Sequence, residues 1–327
     1  MNRGPRPKLS GPVRSRAGVR FVVSSPASSA NLGSGFDTLG LALDLRLLGW
    51  VMDQEPVPAS LNPDGWEAGL NRLAEQAAQA VFDQVGRHPD TPFHLFLETP
   101  FPAGRGMGSS AAAQAVGLVA ANRLFGDPLG PEAVFDLLAS LEGHADNAAP
   151  ALYGGLNWVW QEGRHFGHAM LPPPPLEVAL AIPSRGLTTS RSRHRLPKAV
   201  PITDAVHNLQ RAGLWLLAAQ NGRWDLLWQA ADDRLHQPHR ARLMPYLVGA
   251  IETARSEGAY FAALSGSGSS IMALADPGQG YRVAQAMCQA MAEQGVEAMP
   301  RRVRPTTRGT EVYTPERETG RLEAVRV

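Results

Sequence analysis

The sequence predicts a fold of mixed helices and strands, arranged in α/β or α+β layers. Strand signals alternate with helices of moderate length along the chain, and this alternation disfavours both a helical bundle and a β-sandwich. A length of 327 residues with a hydrophobic fraction of 44% is enough for two domains, each with its own core. The consecutive prolines at 172–175 are the strongest break in the chain, so we expect them to separate the two domains.

These signals divide the chain into two domains flanked by two tails. Residues 1–18 are basic and rich in proline and glycine, and they predict a flexible tail. We expect an N-terminal domain over residues 19–171 and a C-terminal domain over residues 176–304. Residues 305–327 are polar and unpatterned, which predicts a second tail, although the pattern also allows one last strand there.

The N-terminal domain is predicted to contain two strands and three helices. β-Branched residues mark the first strand, alternating polarity marks the second, and apolar residues at helical spacing mark the helices. In chain order these elements are a strand over 19–24, a helix over 71–85, a strand over 93–97, and helices over 111–125 and 131–141. Residues 45–70 contain several prolines and glycines, and we expect them to be short and irregular.

The C-terminal domain is predicted to contain four strands and four helices. The strands are expected over 177–182, 260–264, 271–275 and 296–303, and the helices over 202–221, 224–232, 247–257 and 280–293. The loop Ser265 to Ser270 joins two apolar strands. In a compact domain, such a loop built around Gly266 and Gly268 is more typical of a backbone support for a bound group than of a flexible linker.

Charge and composition exclude several classes of function. A formal charge of +1 at pH 7 gives no basic surface that would attract nucleic acid or anionic lipid. Lys8 and Lys198 are the only lysines, so no glycine-rich segment carries the lysine of a Walker-type phosphate loop. Cys288 is the single cysteine, and the chain has neither a long apolar run nor a secretory signal. We therefore expect a cytoplasmic protein without a membrane or nucleic-acid partner.

A glycine-rich loop between a strand and a helix predicts a phosphate-binding site. Gly104, Gly106 and Gly108 let the backbone approach a ligand, and the alanine-rich helix that follows turns its first amides and its positive dipole end toward that ligand. Ser109 and Ser110 can offer hydroxyls to phosphate oxygens or to a magnesium ion. A turn followed by an ordinary capped helix is the alternative interpretation, but the order of strand, loop and helix favours phosphate.

A second polar segment groups four functional side chains within six residues. Glu142, His144, Asp146 and Asn147 lie between apolar stretches, where they would be costly to bury without partners. Glu142 is suited to magnesium, and the other three can hold a polar substrate or fix the loop. Taken alone, Asp146 and Asn147 are also typical of an ordinary helix terminus.

Two basic groups in the C-terminal domain contain Arg193 and Arg240. Most such residues are solvated, yet the planar fork of arginine is the usual choice for binding a carboxylate. The spacing of His236 and His239 could suit a metal, but the sequence offers no obvious third ligand.

Three segments, in order, resemble the signature motifs of the GHMP kinase superfamily. They are PASSANLGSGFD at 26–37, GMGSSAA at 106–112 and SGSGSS at 265–270. Within that superfamily, residues 31–37 and the EGHADN segment at 142–147 resemble homoserine kinases. The resemblance implies an N-terminal half with the fold shared with a ribosomal protein domain and a ferredoxin-like C-terminal half. It also implies that ATP and Mg²⁺ bind in the cleft between the halves.

The resemblance further implies roles for individual residues. Asn71 would lie near the adenine of ATP, and Ser110 with Glu142 would hold Mg²⁺. The homoserine pocket would be lined by Asn31, Asp37, His144, Asn147, Arg193 and Arg240, with Asn147, Asp37 and Arg193 as the catalytic residues. The ATP phosphates would be wrapped by the glycine-rich loop and its flanks, which are Pro102, Ala103, Gly104, Arg105, Gly106, Met107, Gly108, Ser109, Ser110, Ala111 and Ala112.

The implied reaction transfers the γ-phosphoryl group of ATP to the side-chain hydroxyl of L-homoserine, a step of threonine biosynthesis. Such a transfer needs mainly in-line positioning and neutralisation of charge, which amides, magnesium and arginine can supply without a lysine. Asp37 would bind the substrate ammonium, Arg193 and Arg240 its carboxylate, and Asn147 would orient the hydroxyl without a strong general base. The alternatives are a mevalonate-type kinase and a nucleotide-binding regulator that has lost catalysis. A homodimer is expected by analogy only.

Overall fold

The computed structural model describes residues 18–53, 66–90, 94–186, 192–315 and 322–326. The predicted N-terminal tail lies outside the described residues, apart from Gly18. The strands are β1 (Val19–Ala30), β2 (Leu39–Met52), β3 (His94–Glu98), β4 (Leu156–Glu162), β5 (His165–Leu171), β6 (Glu177–Pro183), β7 (Phe261–Leu264), β8 (Ile271–Ala275), β9 (Ala298–Val303), β10 (Glu311–Pro315) and β11 (Leu322–Arg326).

The helices of the N-terminal half are α1 (Trp66–Val85), α2 (Ser109–Leu124), α3 (Pro131–Glu142) and α4 (Ala148–Tyr153). Those of the C-terminal half are α5 (Ile202–Asn221), α6 (Leu227–Ala231), α7 (Gln237–Ala241), α8 (Tyr246–Ser256) and α9 (Gly280–Glu293), with a 3₁₀ turn at Trp224–Leu226 before α6. In the part of the chain that is described, none of these helices has the length and apolar character needed to cross a bilayer.

Seven strands form one antiparallel sheet in the order β11, β10, β1, β2, β4, β5, with β3 paired to residues 48–52 of β2. β1 and β2 pair along most of their length, with Ser24 opposite Leu48 and Ala30 opposite Gly40. Both strands are buried almost throughout. β2 therefore carries a nearly continuous apolar run instead of alternating polarity. The turn that follows β1 enters the cavity described below.

Helix α2 is the central helix of this half and packs against α1, α3, α4, β1 and β2. Its residues are buried on every side, as expected for a helix that is small and apolar all round. A side chain at Gly117 would overlap the backbone of Ala74, so α1 and α2 are in backbone contact there. This packing fixes the start of α2, where the glycine-rich loop ends.

Four strands form a second antiparallel sheet in the order β7, β8, β6, β9. Along the chain, β6 is followed by helices, then by β7 and β8, then by α9 and β9. This is the β-α-β-β-α-β order of a ferredoxin-like layer, as the resemblance implies. Helices α8 and α9 pack against this sheet around a core of their own, which includes Leu247, Ala250, Val283 and Met287. The proline run lies between β5, in the first sheet, and β6, in the second.

The polar tail predicted for residues 305–327 is wrong for Glu311–Pro315 and Leu322–Arg326, which form β10 and β11. β10 pairs with β1, with Val22 opposite Tyr313, so the end of the chain completes the N-terminal sheet. Its partner strand lies at the opposite end of the sequence, and local polarity carries no sign of a partner so distant.

Other differences concern the N-terminal half. The first strand continues beyond Ser24 to Ala30, and part of the irregular stretch predicted over 45–70 belongs to β2. Residues 54–65 of that stretch lie outside the described residues. Helix α4 and the β4–β5 hairpin are additional elements without a predicted counterpart. The helices predicted over 202–221 and 280–293 are confirmed at the same bounds.

Candidate active site

A cavity lies where the glycine-rich loop and the start of α2 meet three other loops. These are the turn after β1, the segment after α3 and the loop between β7 and β8. Most of the residues singled out from the sequence line it. The lining residues are Asn31, Gly104, Gly106, Gly108, Ser109, Ser110, Glu142, His144, Asp146, Asn147, Arg193, Arg240, Gly266 and Ser267.

The glycine-rich loop at 104–110, called the phosphate loop from here on, owes its geometry to its glycines. Gly104, Gly106 and Gly108 have φ of 66°, 75° and 62°, in the left-handed region that other residues rarely adopt. Gly108 caps α2, and no side chain in the described parts of the chain caps that helix. Among the described residues, no acceptor bonds the amides of Ser109, Ser110 and Ala111. Backbone donors and the positive end of the helix dipole are therefore available to an anion at this point.

The loop at Ser265–Ser270 joins the phosphate loop to the turn after β1. Ser265 Oγ lies 2.6 Å from the carbonyl oxygen of Gly106 and 2.8 Å from Ser29 Oγ. The Gly266 carbonyl accepts hydrogen bonds from Asn31 Nδ2 at 2.9 Å and from Arg240 Nη1 at 3.1 Å. The loop is thus a backbone support shared by several walls of the cavity.

Ser110 and Glu142 come together at the start of α2, although 32 positions separate them in the chain. The Ser110 hydroxyl donates a hydrogen bond to Glu142 Oε1. Burial raises the pKa of the Glu142 carboxyl above its ordinary value, in spite of the hydrogen bond from Ser110. A buried carboxylate of this kind is stabilised by a cation, and an oxygen-only donor set suits Mg²⁺.

The segment after α3 presents His144, Asp146 and Asn147 to the cavity. His144 Nδ1 lies 2.5 Å from Asp146 Oδ1. Burial alone would lower the pKa of His144, but the nearby carboxylates of Asp146 and Glu142 raise it overall. Ser28 Oγ donates to Asn147 Oδ1 at 2.8 Å, which fixes the orientation of the Asn147 amide.

Asp37, Arg193 and Arg240 form the charged end of the site. Arg193 makes two hydrogen bonds to Asp37, at 2.7 and 3.1 Å. Arg240 is 1% exposed, and the structure offers no described partner to its Nε. Burial and the nearby Arg193 lower the pKa of Arg240 to about 10, so it remains charged at neutral pH. Asn31 Oδ1 accepts from the Asp37 amide at 3.0 Å and holds the turn in place.

A second cavity adjoins the phosphate loop on the side of α1. It shares Gly104, Ser109 and Ser110 with the first cavity and is otherwise lined by Gly69, Leu70, Arg72, Leu73, Gln76 and Ala103. Asn71 is not among these residues, because its Oδ1 accepts a hydrogen bond from the Leu97 amide in β3.

Several residues of the predicted phosphate loop direct their side chains to other parts of the protein and not to a cavity. The Arg105 guanidinium donates to the carbonyls of Ala103, Pro183 and Ser184. Met107, Ala111 and Ala112 are buried, so only their backbone can reach a ligand. Pro102 lines neither cavity.

Two contacts of the site have no local signal in the sequence. Ser28 precedes Asn31 by a few positions and reaches Asn147 across 119 residues, a contact that no local pattern indicates. Asp146 belongs to the predicted polar segment, but its contact with His144 is visible only in three dimensions. Among the described residues, Asp37, His144 and Asp146 form a group whose donor atoms lie within 4.8 Å of one another, and neither His236 nor His239 belongs to it.

Comparisons with known proteins agree with this geometry. The model for the GHMP kinases N terminal domain matches residues 72–155, and the GHMP kinases C terminal model matches residues 214–293. The chain is 41% identical over 275 residues to a homoserine kinase of Thermus thermophilus, and the match covers 80% of this chain and 89% of that protein. It is 38% identical over 301 residues to a homoserine kinase of Moorella thermoacetica, and that match covers 89% and 99%.

Solved structures give the same result. The homoserine kinase of Cytophaga hutchinsonii superposes with a TM-score of 0.76 at 25% identity, over 92% of this chain and 100% of that one. The L. major mevalonate kinase, solved with R-mevalonate, has a TM-score of 0.65 at 18% identity, over 91% and 99%, and this likeness shows the fold alone. The chain belongs to the GHMP kinase family and, within it, to the homoserine kinases.

Proposed function

We propose that the protein transfers the γ-phosphoryl group of ATP to the side-chain hydroxyl of L-homoserine. One observation carries this proposal. A single cavity has backbone donors without described acceptors at the start of α2 on one side and the Arg193 and Arg240 charges on the other, and Asp37 adjoins it through its hydrogen bonds to Arg193. A zwitterion and a polyphosphate can therefore bind side by side. The names of the relatives in the homoserine kinase family support this choice of substrate.

ATP fits across the two cavities. Its phosphates would contact the amides of Ser109, Ser110 and Ala111, where the helix dipole favours negative charge. The adenine would enter the second cavity, where Leu70, Leu73 and Ala103 offer apolar surface. This proposal replaces Asn71 with its neighbours as the residues in contact with adenine, because the Asn71 side chain is bonded to the β3 backbone.

The residues present at the start of α2 fit a magnesium ion. Ser110 and Glu142 would hold it, because a hydroxyl and a buried carboxylate supply hard oxygen ligands. When bound, the ion supplies positive charge that offsets the charge on the ATP phosphates.

The amino acid would bind between the charged residues. Its carboxylate would contact Arg240, whose Nε has no described partner, and Arg193. Its ammonium would contact Asp37, close to the carboxylate of Asp146. The Asp37–Arg193 ion pair is about one third exposed, with side-chain exposures of 34% and 36%, so exchanging one partner for the substrate costs little.

The chemistry then depends on positioning. Asn147, held by Ser28, would orient the substrate hydroxyl toward the γ-phosphorus. A bond forms between that hydroxyl oxygen and phosphorus as the bond to the β,γ-bridging oxygen breaks, and ADP leaves with the bonding electrons. The hydroxyl proton passes to phosphate or water, without a strong general base. Arg193 and the α2 amides would stabilise the negative charge of the transferred group.

We also infer that the reaction takes place in the cytoplasm, where a thiol such as buried Cys288 stays reduced. A homodimer stays a prediction from the family resemblance.

The test is ADP release with Mg-ATP and a panel of homoserine, mevalonate and shikimate. Turnover with homoserine alone supports the proposal. Turnover with mevalonate instead would identify a mevalonate-type kinase. Nucleotide binding without turnover on any acceptor would identify a regulator that has lost catalysis.

A further inference from the structure

A buried histidine connects two walls of the cavity that recognise different ends of the amino acid. His236 is wholly buried and stacks on Phe36, with ring centroids 5.2 Å apart and an interplanar angle of 25°. Its Nε2 lies 2.8 Å from the Gly33 carbonyl oxygen, and its Nδ1 lies 3.1 Å from Arg240 Nη1. Gly33 and Phe36 belong to the turn that carries Asp37.

These two contacts determine which nitrogen carries the proton. Arginine can only donate, so Nδ1 must keep its lone pair and accept from Arg240. A carbonyl can only accept, so Nε2 must carry the hydrogen and donate to Gly33. Asp233 Oδ2 lies 3.4 Å from the same Nε2 and accepts the backbone amides of His236 and Gln237. The imidazole is therefore neutral, in one tautomer, and fixed on both sides.

The contact with Arg240 has a consequence for the guanidinium. Nη1 is held by His236 and by the Gly266 carbonyl, while the buried Nε has no described partner. A guanidinium fixed at one nitrogen and unpaired at another is preorganised to bind a planar anion. Because the same ring also bonds to Gly33 and stacks on Phe36, the position of Arg240 is coupled to the turn that carries Asp37.

We propose that His236 is a positioning residue that sets Arg240 relative to the Asp37 turn and thereby selects acceptors that carry both a carboxylate and an ammonium. This inference rests on the proposed function and deepens it. His236 is wholly buried, so it would act through Arg240 and through the backbone of the turn, without contact to substrate or phosphate.

Two substitutions separate the contact of His236 with Arg240 from its contact with Gly33. His236→Gln can reach Gly33 with its amide N–H but offers Arg240 no acceptor at the Nδ1 position. His236→Asn places an oxygen where Nδ1 was but cannot reach Gly33. Both lose the ring that stacks on Phe36, so comparing them weighs the loss of the Arg240 contact against the loss of the Gly33 contact. His168→Asn is the matched control. His168 lies in β5, outside the cavity, and its ring stacks on that of Tyr153 with ring centroids 4.0 Å apart.

The measurement is kcat/KM for homoserine and for 3-amino-1-propanol, which is homoserine without its carboxylate. We expect His236→Gln to lose about tenfold in the preference for homoserine, the size expected for one hydrogen bond to a charged group, with the KM for ATP unchanged. His236→Asn should retain more of that preference, and His168→Asn all of it. Equal losses on both acceptors in both variants would mean that His236 only packs, and would overturn the proposal.

A second measurement needs no variant. Long-range ¹H–¹⁵N correlation spectra of the wild-type protein report the tautomer of each histidine. We expect the His236 signals to show a neutral ring protonated at Nε2, and a ring protonated at Nδ1 or at both nitrogens would overturn the proposal even if neither variant folds. Absence of homoserine turnover by the wild type would instead refute the proposed function, and the two failures are thus distinguishable.

Discussion

Replacing Gly108 by alanine tests whether the phosphate loop and the Ser28–Asn147 contact are as closely packed as the structure shows. Gly108 has φ of 62°, and an alanine in this left-handed conformation costs about 1–2 kcal/mol relative to glycine. The new Cβ would overlap Ser28 Oγ and lie 2.9 Å from Asn147 Oδ1, so the buried Ser28–Asn147 hydrogen bond must break. Losing that bond adds about 1–3 kcal/mol, and the sum is about 2–5 kcal/mol of unfolding free energy.

Gly86→Ala is the matched control. Gly86 follows α1 with φ of 68°, and a Cβ there meets nothing within 4 Å, so this variant carries the backbone strain without the crowding. Unfolding in urea, followed by circular dichroism, should give Gly86→Ala a free energy of unfolding about 1–2 kcal/mol below that of wild type. The value for Gly108→Ala should be clearly lower still. ADP release should fall by at least about tenfold in Gly108→Ala only, because Asn147 moves. Equal stability and full activity in both variants would refute the reasoning.

Three further predictions concern single groups of the site. Arg240→Ala should raise the KM for homoserine by about tenfold or more and leave the KM for ATP nearly unchanged. Initial-rate kinetics that show equal effects on both KM values would mean that Arg240 does not bind the carboxylate. Glu142→Gln should raise the Mg²⁺ concentration for half-maximal rate by about tenfold, and Ser110→Ala by less, whereas an unchanged magnesium titration would exclude both as ligands. Because neighbouring carboxylates raise the folded-state pKa of His144 above its unfolded value, its stabilising contribution is fully present below about pH 6.5 and is lost as pH rises through the folded pKa. Urea unfolding across this range should therefore show a decline in stability that His144→Asn lacks, and the same decline in both proteins would contradict the assignment.

The parts of the site that the sequence predicted are those encoded within a few neighbouring residues. The glycine-rich loop at 104–110 precedes its helix directly, and the Glu142–Asn147 segment places four polar groups on one turn. Local sequence is enough for such features because the backbone itself brings these groups together. The structure adds the long-range partners. Ser28 fixes Asn147, and Gly266 receives both Asn31 and Arg240.

The distinction between local and long-range contacts also explains which elements of the fold the sequence predicts. Helices α5 and α9 carry a 3.6-residue period and were predicted at their observed bounds. β2 is buried on both faces, so it lacks the alternation that marks a half-buried strand. β10 pairs with a strand from the other end of the chain. Pairing between distant strands is decided by tertiary packing, which the local pattern does not contain.

The central claim is that nucleotide phosphates bind the start of α2 next to a pocket that recognises both charges of an amino acid. A crystal structure with a non-hydrolysable ATP analogue, Mg²⁺ and L-homoserine tests this most directly. We predict the γ-phosphate within hydrogen-bonding distance of the Ser109–Ala111 amides, and the homoserine carboxylate on Arg240 with its ammonium on Asp37. Phosphates bound elsewhere, or an amino acid that contacts neither charge, would contradict the account.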